Sequence, residues 1–381
     1  AGQLILIAFG IKCAFPLLHN WLQDAYPQAT VTGTVILSAF TTKLAVYALA
    51  RGYAGTEILI PIGAVMTAFP IFFAVIENDL RRVLAYSLNN QLGFMVVGIG
   101  IGTELALNGT AAHAFCHILY KALLFMAMGA VLYRVGTIKG SELGGLYRSM
   151  PWTTVFCIVG AASISAFPLF SGFISKSLII SGAMKEGYYW VWLTLLFASA
   201  GVFHHSGIKI PYFAFFAHDS GKRCEEAPMN MLIAMAIAAA FCIGLGVYPD
   251  PLYALLPYEV KYDAYSLEHV VTQLQLLMFS ALAFTVLMRT GIYPPELKSI
   301  DLDTDWFYRV PGRHLAQVAN QFRSITWQWV ADSTVKLATK VHDALYRHHG
   351  PEGWFGRSWP TGTMAFWTTV TLGAVVILSY L

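Results

Sequence analysis

The hydrophobic pattern divides the chain into long apolar stretches separated by shorter polar connections. A helix needs about 20 apolar residues to cross the hydrocarbon core of a bilayer, and ten stretches qualify as candidate spans. They lie at 2–22, 32–51, 57–77, 83–102, 108–133, 152–183, 188–216, 229–248, 268–289 and 362–381. Segments of about ten residues with alternating polarity, which are typical of membrane β-barrels, do not occur. The pattern predicts an all-α polytopic membrane protein.

Two of these stretches carry helix-breaking residues close to a lysine. Pro16 follows Lys12 by four residues, so the proline removes the helical hydrogen bond to the Lys12 carbonyl. The sixth stretch is too long for one crossing and contains SAFPLFSG, in which Pro168 and Gly172 precede Lys176. Broken helices survive at membrane depth only where protein or water satisfies the backbone. Such breaks in corresponding halves of a chain are typical of transport sites.

Four lysines lie near the middle of apolar stretches, where each charge costs at least about 2.5–3.5 kcal/mol. They are Lys12, Lys43, Lys121 and Lys176. A snorkelling side chain explains one such lysine, but four in central positions indicate a function. Burial disfavours the charged form of a lysine, so we interpret them as groups that gain and lose protons.

Two histidines share one helix face with Lys121. In AAHAFCHILYKALLF, residues 111–125, His113, His117 and Lys121 stand at i, i+4 and i+8. A lone histidine in a span is usually a hydrogen-bonded packing residue, whereas this spacing suits a proton relay through bridging waters. For His204 and His205 two interpretations stay open: they extend the row, or they line the bundle near its cytoplasmic end.

Other polar residues have simpler explanations. Glu77, Asp79, Arg81 and Arg82 occupy the end of a span, where a solvated turn is the better interpretation. The polar residues 89–91 lie inside a span, and interhelical hydrogen bonds account for them without a transport role.

Composition changes this picture little. The chain is 57% hydrophobic and 12% charged, whereas soluble domains contain about 25% charged residues. The five cysteines form no C-x-x-C pair, which argues against a disulfide framework, a metal site or an iron–sulfur cluster. Phosphate-binding loops and nucleophile motifs are also missing. We expect no cofactor, no catalytic centre and no nucleic-acid partner.

Basic residues in the connections indicate the orientation in the membrane. Seven face one side and three face the other. The first set is Arg81, Arg82, Arg134, Lys139, Arg148, Lys222 and Arg223, and the second is Arg51, Lys185 and Lys261. The first side is therefore predicted to be cytoplasmic.

The region 293–360 is polar, unlike the rest of the chain. Residues 313–348 contain neither proline nor glycine, and their apolar residues recur at roughly helical spacing. We predict an amphipathic helix about 50 Å long that lies along the cytoplasmic membrane surface. A final span follows it.

Four stretches resemble the proton-translocating membrane subunits of respiratory complex I and of Mrp-type multisubunit cation/proton antiporters. They are FGIKCAFPLLHNWLQDAYPQA, ENDLRRVLAYSLNNQLGFM, AHAFCHILYKALLFM and FPLFSGFISKSLI, and the resemblance covers roughly residues 1–250. LDTDWFYR and the tail are most similar to the D-type subunits of the Mrp group. The resemblance implies an antiporter-like bundle of two inverted five-helix repeats, each with a broken helix, joined by a central row of ionisable residues.

The resemblance also implies roles for individual residues. Lys12 and Lys176 match the ionisable positions of the two broken helices, and Lys43 matches a bridging lysine. His113, His117 and Lys121 match the connecting row. The first repeat would begin before Ala1, because the chain starts inside an apolar stretch and lacks the partner glutamate of Lys12. We therefore expect upstream helices.

On this basis we expect five regions. Residues 1–51 end the first repeat, 52–216 form the second, 217–292 add further transmembrane helices, 293–360 hold the surface helix, and 361–381 form the last span.

Three functions are compatible with the sequence. The first is a proton-translocating subunit of a cation/proton antiporter, with other subunits, protons, the lipid bilayer and possible sodium or potassium exchange as its partners. The second is a proton-pumping subunit of a redox-driven complex of the complex I or membrane-bound hydrogenase type. The third is a scaffold that anchors partners, against which the buried lysines weigh. The expected location is the bacterial inner membrane.

Overall fold

The computed structural model describes residues 2–298 and 301–380, and helices account for all regular structure in these ranges apart from one isolated bridge between Asp79 and Lys139. The all-α prediction is confirmed. The main helices are α1 Gly2–Lys12, α2 Asn20–Gln28, α3 Val31–Gly52, α4 Leu59–Ile76, α5 Leu80–Ile101, α6 Glu104–Val135, α7 Pro151–Ile164, α8 Ser171–Lys185, α9 Tyr189–Phe216, α10 Met229–Val247, α11 Leu267–Thr290, α12 Pro311–His349 and α13 Thr361–Ser379.

Seven of these helices in the described ranges are long and apolar enough to cross a membrane: α3, α4, α6, α9, α10, α11 and α13. The shorter apolar helices α1 and α7 are the first halves of broken helices. Helix α5 has the length of a span, and nearly all of it is buried. Because protein surrounds α5 on all sides, its polar side chains do not meet lipid. The chain is thus a polytopic membrane protein.

Both predicted helix breaks are present, and they share a tetrapeptide and a backbone conformation. Ala14-Phe15-Pro16-Leu17 separates α1 from α2, and 166–169, with the same sequence AFPL, separates α7 from α8. In each break the alanine and the leucine have positive φ: 62° and 68° in the first, 58° and 72° in the second. This left-handed backbone costs roughly 1–2 kcal/mol per non-glycine residue. Its repetition indicates that both breaks are built features.

Gly172 has a packing role at the second break. A Cβ added there would stand 1.8 Å from the carbonyl oxygen of Ser163. Only glycine therefore lets the start of α8 lie directly against the last turn of α7.

The described chain forms two compact units, 1–304 and 305–381. In the first unit α5 and α6 form the centre, and their buried side chains dominate the core. In the second unit the 39-residue α12 contains the predicted helix 313–348. Pro311 stands in its first turn, where the missing N–H costs no hydrogen bond.

Candidate functional site

The predicted row lies on the central helix. His113, His117 and Lys121 all belong to the 32-residue α6, and the side chains of all three are inaccessible to solvent. The imidazole centroids of His113 and His117 are 6.2 Å apart. The structure therefore brings these three residues together in the protein interior, as their spacing predicted.

Lys176 lies beside the second helix break. Its Nζ donates a hydrogen bond of 2.7 Å to the carbonyl oxygen of Ile164, the last residue of α7. Its ammonium group also stands 5.3 Å from the ring centroid of Phe94, whose ring is 6.0 Å from that of His113. The lysine thus connects a carbonyl freed by the break with the face that carries the row.

Lys43 is held by a wide turn in its own helix. Residues Leu37–Thr41 of α3 form a π-helical turn, and Nζ of Lys43 donates to the Ser38 carbonyl at 2.6 Å. Such turns interrupt the regular ladder and often occur at functional sites. Lys43 lines one cavity with Ala114 and Ile118 of α6, so it packs against the helix that carries the row.

Lys12 is placed apart from this group. It is the last residue of α1 and its side chain is exposed in the described chain. Leu4, Ile7 and Ile11 on the same helix are exposed as well. This part of α1 therefore has little cover within the described ranges, and the transport role of Lys12 stays a prediction.

Three residues that the sequence interpretation did not select surround His113. His113 forms hydrogen bonds through Nδ1 with Oγ of Ser175 at 3.0 Å and through Nε2 with Oε1 of Gln91 at 3.2 Å. Tyr120 donates its hydroxyl to the same Oε1 at 3.1 Å. Tyr120 was detectable, because i+7 from His113 returns to the same helix face. The partnership of Gln91 with another helix had no sequence signal beyond its polarity.

Other members of the row lack protein partners. Among the described residues, no hydrogen-bond partner reaches either ring nitrogen of His117 or Nζ of Lys121. Buried polar groups nearly always have a partner. The site therefore combines a fully bonded end at His113 with an unbonded centre at His117 and Lys121.

The two accessory histidines differ in their surroundings. His205 is fully buried and bonds through Nδ1 to Ser206 at 2.9 Å, and Ser206 donates to Ser87 at 2.8 Å. His204 instead stacks on Tyr293 with ring centroids 5.5 Å apart. These contacts join His205 to the central helix α5, whereas His204 packs among aromatic side chains. A part for either histidine in the row stays a prediction.

Lys209 lies at the end of this region on the arginine-rich side. It forms a 2.9 Å ion pair with Glu296 and donates to the carbonyls of Val75 at 2.6 Å and Glu77 at 2.7 Å, beyond the end of α4. Burial raises the pKa of the Glu296 carboxyl, and the neighbouring Lys209 offsets part of that rise. The sequence pattern gives no sign of this ion pair, because 87 positions separate Lys209 from Glu296.

The solvated turn expected at Glu77–Arg82 is not what the structure contains. Arg81 has 2% of its surface exposed and donates to the carbonyls of Pro27 and Ala29, each at 2.9 Å. Glu77 is equally buried and pairs with Arg82 at 3.3 Å. The turn is buried because the end of α2 packs on it, a contact invisible in local sequence.

A cavity of about 600 Å³ lies between α8, α9 and α11. Lys185 and Glu268 line its end on the side opposite the arginine-rich surface. Gln273 of α11 lines it and donates to the carbonyl of Ser165, in the second break, at 3.3 Å. Gln273 therefore links the cavity, which opens on the side opposite the arginine-rich surface, to the backbone of the second break.

A family model described as NADH:quinone oxidoreductase/Mrp antiporter, TM, matches residues 1–201 of the 381. The chain belongs to this family. The resemblance inferred from the four sequence stretches is confirmed. Among curated members, the D-type component of the Na(+)/H(+) antiporter of Alkalihalophilus pseudofirmus is 30% identical over 265 residues, which cover 66% of this chain and 53% of that protein. Hydrogenase-4 component B of Escherichia coli is 26% identical over 274 residues, 63% of this chain and 41% of that protein. The chain spans about half the length of these relatives.

Solved structures of multisubunit membrane complexes share the fold. The Mrp complex from Dietzia sp. aligns with a TM-score of 0.62 and 20% identity over 77% of this chain and 61% of the matched chain. The membrane-bound sulfane sulfur reductase, an archaeal respiratory membrane complex, aligns with a TM-score of 0.64 and 21% identity over 99% of this chain and 68% of the matched chain. The antiporter-like fold class is thereby confirmed.

The NADH:quinone oxidoreductase/Mrp antiporter region contains all the lysines proposed for transport, together with His113 and His117. His204, His205, Lys209 and Gln273 lie beyond it. Among the residues that the structure describes, no three His, Cys, Asp or Glu side chains form a group able to hold a metal ion.

The hydrogen bond between Gln91 and His113 leads to a first prediction. Gln91→Leu should lower proton flux about ten-fold, because His113 and Tyr120 lose their shared acceptor, a loss of roughly 1–3 kcal/mol. Asn89→Leu is the matched control: Asn89 is on the same helix and equally buried, and its amide has no hydrogen-bond partner in the described chain. Proton flux in proteoliposomes is measured for both variants. Equal loss in the two variants would show that Gln91 acts only through packing.

Proposed function

We propose that the chain is a proton-translocating membrane subunit of a multisubunit monovalent cation/proton antiporter. The observation that carries this proposal is the buried group of ionisable residues on adjacent helices: Lys43, His113, His117, Lys121 and Lys176. Charges at membrane depth are costly and mark ion pathways. A static scaffold would have no use for them.

The path proposed here runs along the membrane plane. Protons would pass from Lys43 to the His117–Lys121 pair, then to His113, and would reach Lys176 beside the break. Waters would form hydrogen bonds with the nitrogens of His117 and Lys121 that have no protein partner. The cavity lined by Gln273 supports an exit from Lys176 to the side opposite the arginine-rich surface. His205, Ser206 and Ser87 support a branch from Lys121 toward the cytoplasmic side. Lys12 would join through the first broken helix.

The regional division is part of the proposal. Residues 1–51 would end a first inverted repeat and 52–216 would form the second, which the two AFPL breaks support. Residues 217–292 would add helices, 293–360 would supply the surface helix, and 361–381 would anchor it. The exposed apolar residues of α12, such as Phe322 and Trp329, support contact with the bilayer or a neighbouring subunit. A bacterial inner membrane is the proposed location, since the antiporter relative is bacterial.

Redox-driven pumping is the second candidate. The hydrogenase-4 relative and the sulfane sulfur reductase neighbour favour it, and the latter aligns over nearly the whole chain. In this case the chain would conduct protons with the same residues, and other subunits would supply the energy.

The two candidates differ in what drives proton movement. The assembled complex is reconstituted in proteoliposomes with a pH-sensitive dye, and a sodium or potassium gradient is imposed without any electron donor. We expect proton movement coupled to one of the two gradients, and none in the Lys121→Ala complex. Movement that appears only after an electron donor is added would favour the redox-driven alternative.

A further inference from the structure

Residues 291–298 and 301–304, which follow α11, contact the arginine-rich side of the bundle. We call these two stretches the strap. Near its first end Glu296 binds Lys209. The backbone carbonyl of Asp301 accepts from Arg82 at 3.1 Å. The strap therefore contacts both α9 and α5, and its last acidic residue is Asp303.

Asp303 binds the residues that start α2. Its Oδ2 lies 3.0 Å from Nε2 of His19 and accepts from the hydroxyl of Tyr86 at 3.0 Å. Its Oδ1 accepts from the side-chain amide of Asn20. The side chains of His19 and Asp303 are 0% and 1% exposed. Burial alone would raise the pKa of Asp303, but the hydrogen bonds from these three partners hold it below its usual range.

The other end of α2 is held by Arg81. Its guanidinium donates to the carbonyls of Pro27 and Ala29, where the helix ends and its last carbonyls have no helical partner. Helix α2 has only nine residues, and helices this short are not stable on their own. A buried ionised group at each end therefore fixes its position.

The second broken helix is built differently. The residues that follow its AFPL segment by the same spacing are Ser171 and Gly172, in place of His19 and Asn20. Ser171 bonds to Ser163 at 2.8 Å, and Gly172 packs directly on the same turn of α7. Helix α8 also has 15 residues. The start of the second half-helix therefore contacts α7, whereas the start of the first contacts the strap.

We propose that Asp303 is a positioning residue for the first broken helix: it fixes His19 and Asn20, and through them the orientation of α2. The part of this inference that concerns transport rests on the proposed function. The strap follows α11, and Gln273 of α11 bonds to the second break, so α11 and the strap together contact both broken helices.

Hydrogen exchange of the assembled complex tests the positioning. In Asp303→Ala, amide exchange across 20–28 should accelerate at least about ten-fold, while exchange across 171–185 should stay unchanged. His19→Ala should have the same effect, and the double variant should add little, because both remove one interaction. Asp303→Asn keeps an acceptor for Asn20 and Tyr86, so its exchange rate across 20–28 should lie between those of the parent and Asp303→Ala. It is the variant to use if Asp303→Ala impairs assembly.

Asp219→Ala is the matched control, since Asp219 is an exposed carboxylate paired with Arg223 on the same side of the membrane. It should change neither exchange nor flux. Unaltered exchange across 20–28 in both Asp303 variants would overturn the proposal. Faster exchange with normal proton flux would overturn its transport part. If Asp303→Ala accelerates exchange while Lys121→Ala retains flux, the positioning holds and the proposed function fails.

Discussion

Lys121→Ala should reduce proton flux at least about 100-fold while the complex still assembles. Lys121 is fully buried and follows His117 by one helical turn. Removing it would take away the only lysine on α6 and interrupt the path where its branches meet. An effect of this size corresponds to about 2.7 kcal/mol, since each 1.36 kcal/mol is ten-fold in rate.

Two further variants separate proton transfer from packing. Lys121→Met keeps the length of the side chain and fills the same space, so it should lose flux as completely as alanine. Lys222→Ala, at a half-buried lysine in a connection, should retain flux. Transport at the parental rate in Lys121→Ala, at equal expression, would contradict the role of Lys121.

Substitutions at Lys176 should rank by whether the new side chain can release a proton. Lys176→Met is never charged and Lys176→Arg does not deprotonate in proteins, so both should lose most of the flux, roughly 100-fold by the same rate relation. Lys176→Glu should retain part of the activity with a displaced pH optimum. Lys176 lies beside the carbonyl of Ile164, and the next residue, Ser177, lines the cavity. A titratable side chain at position 176 would therefore stand at the proposed exit.

Proton flux of the assembled complex, measured against pH in proteoliposomes, decides between these outcomes. Lys139→Arg is the matched control, because its side chain is exposed and lies away from the proposed exit. Normal flux in Lys176→Arg would mean that a fixed positive charge is sufficient. Lys176 would then act without cycling a proton.

The sequence by itself determined the class of protein and much of the site. Long apolar stretches can satisfy their backbone in lipid only as helices, so the all-α membrane fold followed from the hydrophobic pattern. The breaks followed from proline chemistry at Pro16 and Pro168. The row on α6 followed from helical periodicity, because residues four apart share a face whatever surrounds the helix.

Only the tertiary structure decided which polar groups are partners and which face protein. Gln91 meets His113, Glu296 meets Lys209, and Asp303 meets His19 across large separations in sequence. Local pattern holds no information on such contacts, because they depend on how the helices pack. The prediction for Arg81 was wrong for the same reason. The sequence pattern places this charged residue in water at the end of a span, whereas the structure buries it against the end of α2. A charge tolerates that burial only when it is paired or hydrogen-bonded, and the carbonyls that bond Arg81 take their positions only in the folded chain.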